Sequence, residues 1–468
     1  MTDIAWMPAT HMAAAIKSKQ LSPVEVTRAL LDRIDAVNPS INAYVLITRD
    51  MAMEQAKQAE AAVLRGDALG ALHGVPVSIK DLFDVPGLPT TKGSLVYKDH
   101  IASGWEYSAQ RLIEHGGGVH LGKTNTPEFG YIPTTENKLF GATRNPWDTE
   151  RTPGGSSGGA AAAVAAGLGP IALSSDGGGS IRIPAAMCGV FGMKPTYGRV
   201  PKKPGGGWQT MTHRGPTTRT VADAALALDV MAYYEPEDPF SVKAYPGSFL
   251  DEVDRGVRGL RVAWSPDLGY APVDPEVRAV CEAAAKKFAD LGCTVDEASP
   301  GFPSPAADAT FMGVAGAWDA AWISDLSDDQ RAVVDEPAKF FLEYGNKLTG
   351  IDVVRANQRR WKIWESMRAF HNTYDLFLTP VMSCTAFPIG QPPAAIAGQQ
   401  IPPMGWMSYT QPFNLNGAPA ASAPCGFDSQ GMPVGLHIVG RAFEDSVVLR
   451  AARAFEQAQP WADRKPKV

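Results

Sequence analysis

The chain has 468 residues, 45% hydrophobic and 20% charged, the composition of a globular protein rather than of a disordered or low-complexity one. A formal net charge of −6 without a Lys/Arg stripe argues against a nucleic-acid surface, and the absence of any run of about 18 apolar residues argues against a membrane span. Five scattered cysteines (Cys188, Cys281, Cys293, Cys384 and Cys425) have no metal-ligand spacing and form no even set, so a reducing, cytoplasmic setting is expected. The opening stretch MTDIAWMPATHMAAAIKSKQ has no basic segment ahead of an apolar one and is not read as a secretory signal.

Taken in order, Ser22-Pro23-Val24-Glu25 reads as a capping box with proline at the first helical position, and Val24, Thr27, Leu31 and Ile34 then share one face. A helix over about 50–65 ends at Gly66. The short alternation from His73 to Asp81 predicts a strand that delivers Lys80. Residues 106–117 read as a helix and 118–123 as a strand; the Ala-rich run 160–166 is a helix stopping at Gly167, and Ile171-Ala172-Leu173 a buried strand. Thr220 caps another helix, and 275–291 forms a further one. Residues 234–256 and 294–310 are rich in Pro, Asp and Ser and read as surface loops; 311–370 is aromatic-rich and helical; 412–459 reads strand, turn, strand, helix. The alternation predicts an α/β fold, and no linker divides the chain.

Two clusters of glycine and serine stand out, Gly154-Gly155-Ser156-Ser157-Gly158-Gly159 and Asp176-Gly177-Gly178-Gly179-Ser180. Consecutive glycines let backbone N–H groups converge on one point, and a hydroxyl at the end of such a turn faces donors aimed at any oxygen that gains charge when a carbonyl is attacked. A phosphate-cradling turn at the start of the Ala-rich helix is the competing reading, but two serines in two clusters joined by one helix and one strand favour catalysis. Lys80 is a candidate base, because burial disfavours the ammonium; the plain alternative is a solvated side chain at a strand end. Asp176 and Arg182 are placed to pair and hold the loop, and Ser157 to support it by hydrogen bonding.

Two motif matches fail on context. Residues 117–124, GGVHLGKT, fit a phosphate loop, but the glycines precede the strand and Pro127 prevents a following helix. GGSSG at 154–158 fits a hydrolase nucleophile elbow, which needs a strand before it, whereas 148–153 is loop. Such an enzyme would take Asp375 and His437 as partners, and His437 reads instead as a residue of a paired strand. No HExxH or CxxC is present, so no metal is expected.

The residues from Gly154 to Val200 resemble the signature region of the amidase signature family of serine hydrolases, in GGSSGG at 154–159, DGGGSIRIPA at 176–185 and GMKPTYGRV at 192–200. The resemblance extends to GVPVSIKD at 74–81, GKTNTPEFG at 122–130, NPWD at 145–148, HRGPTTRTVADAA at 213–225, YDLFLTP at 374–380 and PCGFDSQGMPVGLHIVG at 424–440. It implies one large domain over 1–468, with a central mixed β-sheet covered by helices on both faces, a core at about 74–225 and a helical, substrate-shaping region at about 300–370. It further implies Ser180 as nucleophile, Ser156 as a bridging serine after a cis peptide bond, Lys80 as base, and the N–H groups of Gly177, Gly178, Gly179 and Ser180 as an oxyanion hole. No cofactor is implied; the partner is a small amide, and the state a monomer or homodimer.

Ile183 stands where glutamyl-tRNA amidotransferase subunits usually carry Gln, and Asp-Gly-Gly-Gly-Ser resembles members acting on oligoamides and aryl amides. Trp208, Trp318, Trp322, Phe340 and Phe341 lie in stretches expected to shape a pocket for an apolar or aryl group, with ester or carbamate cleavage following by the same attack. The competing readings are a Ser-His-Asp esterase and an amidotransferase-like subunit that needs a partner.

Overall fold

The computed structural model describes residues 4–204, 210–302 and 306–468. Its strands are β1 (Tyr44–Ile47), β2 (Pro76–Lys80), β3 (Val119–Thr124), β4 (Ile171–Asp176), β5 (Phe191–Lys194), β6 (His213–Thr218), β7 (Arg261–Trp264), β8 (Thr294–Glu297), β9 (Leu376–Pro380), the small hairpin β10 (Ala395–Ile396) and β11 (Gln399–Gln400), then β12 (Ala420–Phe427) and β13 (Pro433–Gly440). All but the hairpin join one sheet in the order β1-β3-β2-β4-β6-β5-β12-β13-β9-β7-β8. It is mixed: β3, β2 and β4 run parallel, as do β9, β7 and β8, while the remaining neighbours are antiparallel. The carboxyl ends of β2 and β4 therefore lie side by side on one edge. Lys80 ends β2 and Asp176 ends β4.

The helices are α1 (Ala9–Lys17), α2 (Pro23–Ile41), α3 (Arg49–Arg65), α4 (Tyr107–Gln110), α5 (Gly158–Ala165), α6 (Arg182–Cys188), α7 (Val221–Met231), α8 (Phe249–Glu252), α9 (Pro275–Asp290), α10 (Ala306–Ser324), α11 (Asp328–Val333), α12 (Glu336–Asn346), α13 (Gly350–Phe370), α14 (Pro412–Leu415) and α15 (Asp445–Ala458). They cover both faces of the sheet, as the resemblance implied. Among the described residues, no helix is long and apolar enough to cross a membrane.

Ser22 caps α2 by accepting the Val24 and Glu25 N–H groups, but its own hydroxyl donates to Glu60 of α3, so the cap ties two helices together. The buried face of α2 is Val26, Leu30, Leu31, Ile34 and Val37, with Val24 at its margin. Helix α5 is alanine-rich and buried throughout, because it packs directly under the strands that carry the site. After α4 the chain makes a π-helical turn over Arg111–His115 rather than one continuous α-helix.

Two expected loops are partly regular. The segment 234–256 contains α8, capped by Ser248 and by Asp229, which accepts the Phe249 N–H. The segment 294–310 contains β8 and the start of α10. β8 has the polar sequence Thr-Val-Asp-Glu and lies at the sheet edge, where pairing with β7 supplies the order that its composition does not announce. The helical insert α10–α12 buries Ile323, Leu326, Val334 and Ala338 against Phe129, Tyr131 and Trp322, which brings aromatic side chains to the edge where β2 and β4 end.

Candidate active site

At the carboxyl end of β2 the Lys80 side chain is wholly buried, and its Nζ lies 2.8 Å from Ser156 Oγ, 2.9 Å from Ser157 Oγ and 3.1 Å from Ser175 Oγ. Among the described residues, three hydroxyls and no carboxylate surround it within hydrogen-bond reach. Nζ donates to each of the three, a shell that offers acceptors but no negative charge to hold an ammonium. Burial pushes its proton affinity well below the ordinary lysine value; Arg214 adds to this, and Asp176 pulls the other way. Removing the Arg214 charge should therefore move the acid limb of the pH–activity profile to higher pH. Arg214→Gln compared with wild type in kcat/KM against pH checks this; an unmoved or acid-shifted limb refutes it.

The Gly155–Ser156 peptide is cis. The hydroxyl residues Ser156 and Ser180 line one cleft of about 200 Å³, together with Ser175 and Gly177. The Ser180 carbonyl accepts the Ser157 N–H at 3.2 Å, so the two glycine-serine clusters are tied backbone to backbone.

The loop after β4 is held by a buried ion pair. Asp176 receives Arg182 Nε at 2.9 Å and Nη2 at 2.8 Å, the Gly179 and Ile181 N–H groups at 2.8 and 3.2 Å, and Asn414 Nδ2 at 2.8 Å. Burial is the largest single influence and raises its carboxyl, but the charge and hydrogen bonds of Arg182, the Lys194 charge and the Asn414 hydrogen bond together outweigh it and hold the group well below the usual carboxylate range. Asp176→Asn is expected to cost about 3–5 kcal/mol by stranding the Arg182 cation, measured as a lowered urea midpoint. A midpoint equal to that of the wild type would overturn the holding role.

The same bonds correct one expectation. The Gly179 N–H, expected in the oxyanion set, is committed to Asp176. Among the described residues the loop donors without a protein acceptor are the N–H groups of Gly177, Gly178 and Ser180. Gly179 has φ +137°, and a Cβ there would stand 2.4 Å from Thr410 Oγ1, so only glycine fits. Thr410 Oγ1 also donates to the Gly178 carbonyl at 2.6 Å, which fixes the orientation of that peptide.

Of the aromatic residues expected to shape the pocket, Trp322 lines the cleft, and Phe341 is buried behind its wall with its ring 5.6 Å from that of Tyr131. Trp318 and Phe340 do not line it: they are 42% and 52% exposed, on the outer side of the helical insert. Trp208 lies outside the described residues. Sequence reasoning missed Phe83, Phe129 and Tyr131, which line the cleft, and Ser175. Ser175 directly precedes Asp176 at the end of β4, and only the pairing of β4 with β2 places it beside Lys80. Phe129 and Tyr131 follow β3, whose end adjoins that of β2 (Lys80 is opposite Thr124), a neighbourhood only the sheet order reveals.

His437 is a paired residue of β13, opposite Ser422 and Thr379. Its Nε2 meets Arg182 Nη1 at 3.0 Å and its Nδ1 meets Thr379 Oγ1 at 3.4 Å, while Asp375 is taken up by Arg441 at 3.0 Å and the Arg261 N–H at 2.8 Å. This histidine and aspartate do not form a relay. Among the described residues, no group of three His, Cys, Asp or Glu is placed to hold a metal ion.

A cleft at the carboxyl edge of a mixed α/β sheet, with clustered serine hydroxyls, a buried lysine and free backbone donors, defines a hydrolase-type site. The family model described as Amidase matches residues 25–449, and the chain belongs to that family, the amidase signature enzymes. It is 44% identical over 472 residues to an acylamidase of Rhodococcus erythropolis, covering 99% of this chain and 98% of that one. It is also 35% identical over 489 residues to a glutamyl-tRNA(Gln) amidotransferase subunit of Moorella thermoacetica, covering 100% and 99%. The fold superposes with a TM-score of 0.92 on a bacterial aryl acylamidase of the amidase signature family, at 33% identity over 98% and 97% of the two chains. The protein is an amide-hydrolysing enzyme.

Proposed function

We propose that the protein hydrolyses small aryl, acyl or oligoamide substrates through Ser180, Ser156 and Lys80. Ser180 Oγ attacks the amide carbonyl, its proton passing through the Ser156 hydroxyl to neutral Lys80. The tetrahedral oxyanion takes hydrogen bonds from the loop N–H groups left without a protein acceptor, each worth about 3 kcal/mol to the transition state. The C–N bond then breaks as the proton returns by the same route to the leaving amine. Water attacks the acyl-serine, gives a proton to the same relay and releases the acid with Ser180 restored. A carbamate carries the same carbonyl and enters the same cycle.

The observation that carries this reading is the wholly buried lysine 2.8 Å from Ser156, beside the cleft that Ser156 shares with Ser180. The aromatic wall of Phe83, Phe129, Tyr131 and Trp322 supports an apolar or aryl substituent next to the scissile bond, with part of the 300–370 region as its shaping element. The similarity to an acylamidase agrees with it. A hydrolysis screen of the isolated protein against 4-nitroacetanilide, short amino-acid amides, a linear oligoamide and an aryl carbamate tests it. Turnover of the anilide or the oligoamide is the expected result.

The similarity to an amidotransferase component favours a second reading, in which the chain works only beside partner subunits. Isolated protein that is folded but silent on every amide would favour it. Turnover without a partner excludes it.

A further inference from the structure

The cleft carries two cations that the relay does not use. Lys92 and Arg214 both line it beside the aromatic wall. Lys92 comes from the loop after β2, where its N–H donates to Asp81 and its carbonyl accepts the Phe129 N–H, and its own φ is +55°. A left-handed lysine pinned at both backbone ends has its side-chain direction set by the loop. Its Nζ stands 4.4 Å from the centre of the Tyr97 ring and, among the described residues, meets no hydrogen-bond acceptor and no carboxylate within 4.0 Å. Arg214 is anchored through Nε, which donates to Glu106 at 3.1 Å, and its guanidinium lies 4.7 Å from the centre of the Phe83 ring. Its two Nη groups have no acceptor among the described residues.

Both groups face the cleft with their free donors side by side, the protons of Lys92 Nζ and the outer edge of the Arg214 guanidinium, and a carboxylate in the cleft would match them in charge and in acceptors. Glu106 pairs with Arg214, whereas Lys92 feels the charges of Asp84 and Asp81 but, among the described residues, is within 4.0 Å of no carboxylate. We propose that the enzyme selects amides carrying a carboxylate away from the scissile bond, held by Lys92 and the Nη edge of Arg214. This rests on the reading that the cleft binds amides for hydrolysis, and it adds which amides. The anion can sit on the acyl half or on the amine half of the substrate; the chemistry of recognition is the same.

The experiment compares matched pairs: N-succinyl-4-nitroanilide with N-butyryl-4-nitroanilide for the acyl half, and 4-acetamidobenzoate with 4-methylacetanilide for the amine half. In one pair kcat/KM is expected to be at least tenfold higher for the acid than for the neutral amide, and in Lys92→Met that preference falls at least tenfold, chiefly through KM. A binding arm runs in Ser180→Ala: the preferred acid raises the melting temperature, and the added Lys92→Met change abolishes the rise. Equal or better use of the neutral member in both pairs overturns the proposal, as does a preference that survives Lys92→Met. Ligand-induced stabilisation that needs Lys92, in a wild-type protein that turns over no amide, would sustain this inference while sinking the proposed hydrolysis.

Discussion

Ser180→Ala should lower kcat/KM for an anilide by about 10,000-fold or more, while the melting temperature stays near that of the wild type. The Ser180 side chain is partly exposed at the cleft, and what the residue gives the fold is its backbone carbonyl, which alanine keeps. The variant retains the buried lysine, the Asp176–Arg182 pair and the free loop donors. Losing one member of a nucleophile relay removes nearly all that the relay contributes, and what remains comes from oxyanion stabilisation and binding. Steady-state kinetics beside a thermal melt provide the check. Retained activity above about 1% would take the nucleophile away from Ser180, and Ser156 would be the next candidate. A collapsed melting temperature would make the activity loss uninformative, and Ser180→Cys, which keeps the shape and a nucleophile, would then be the variant to test.

Lys80→Met is expected to lower kcat by a comparable factor. Lys80→Arg should not rescue it, because a guanidinium stays protonated and cannot accept the serine proton. The accompanying stability change has a defined sign. Lys80 is depressed in the folded protein by burial first and by Arg214 second, whereas an unfolded lysine titrates near about 10.4. Between the folded and unfolded values the unfolded chain binds the extra proton. The wild type therefore gains stability as pH rises towards that unfolded value, and loses it again as pH falls towards the folded one. One proton corresponds to about 1.4 kcal/mol per pH unit inside the window. Urea unfolding of wild type and Lys80→Met at several alkaline pH values should show this extra slope in the wild type alone. Parallel curves would mean that Lys80 is charged in the folded protein and cannot serve as the base without first losing a proton.

The sequence by itself determined the local elements whose causes are local. Ser22 and Thr220 are caps, Gly66 ends a helix in the left-handed conformation, and the alternation before Lys80 became β2. It also determined the Asp176–Arg182 pairing, since six residues across a tight glycine turn leave those charges little choice. It did not yield the pocket wall. Trp318 and Phe340 are aromatic, like Trp322 and Phe341, and nothing in composition says which side of the insert each faces; packing of α10 and α12 on the cleft decided that.

Tertiary structure alone brought Phe129, Tyr131, Ser175 and Lys80 to one place, because β3, β2 and β4 are parallel neighbours separated in sequence by other elements. It also decided the fate of the loop donors. Four adjacent N–H groups look alike in sequence, but the Asp176 carboxylate sits where it takes the one from Gly179. The physical reason is the same in both cases. A hydrogen bond or a buried face is specified by what stands opposite it, and in a sheet of this topology the opposite residue is set by strand order rather than by distance along the chain.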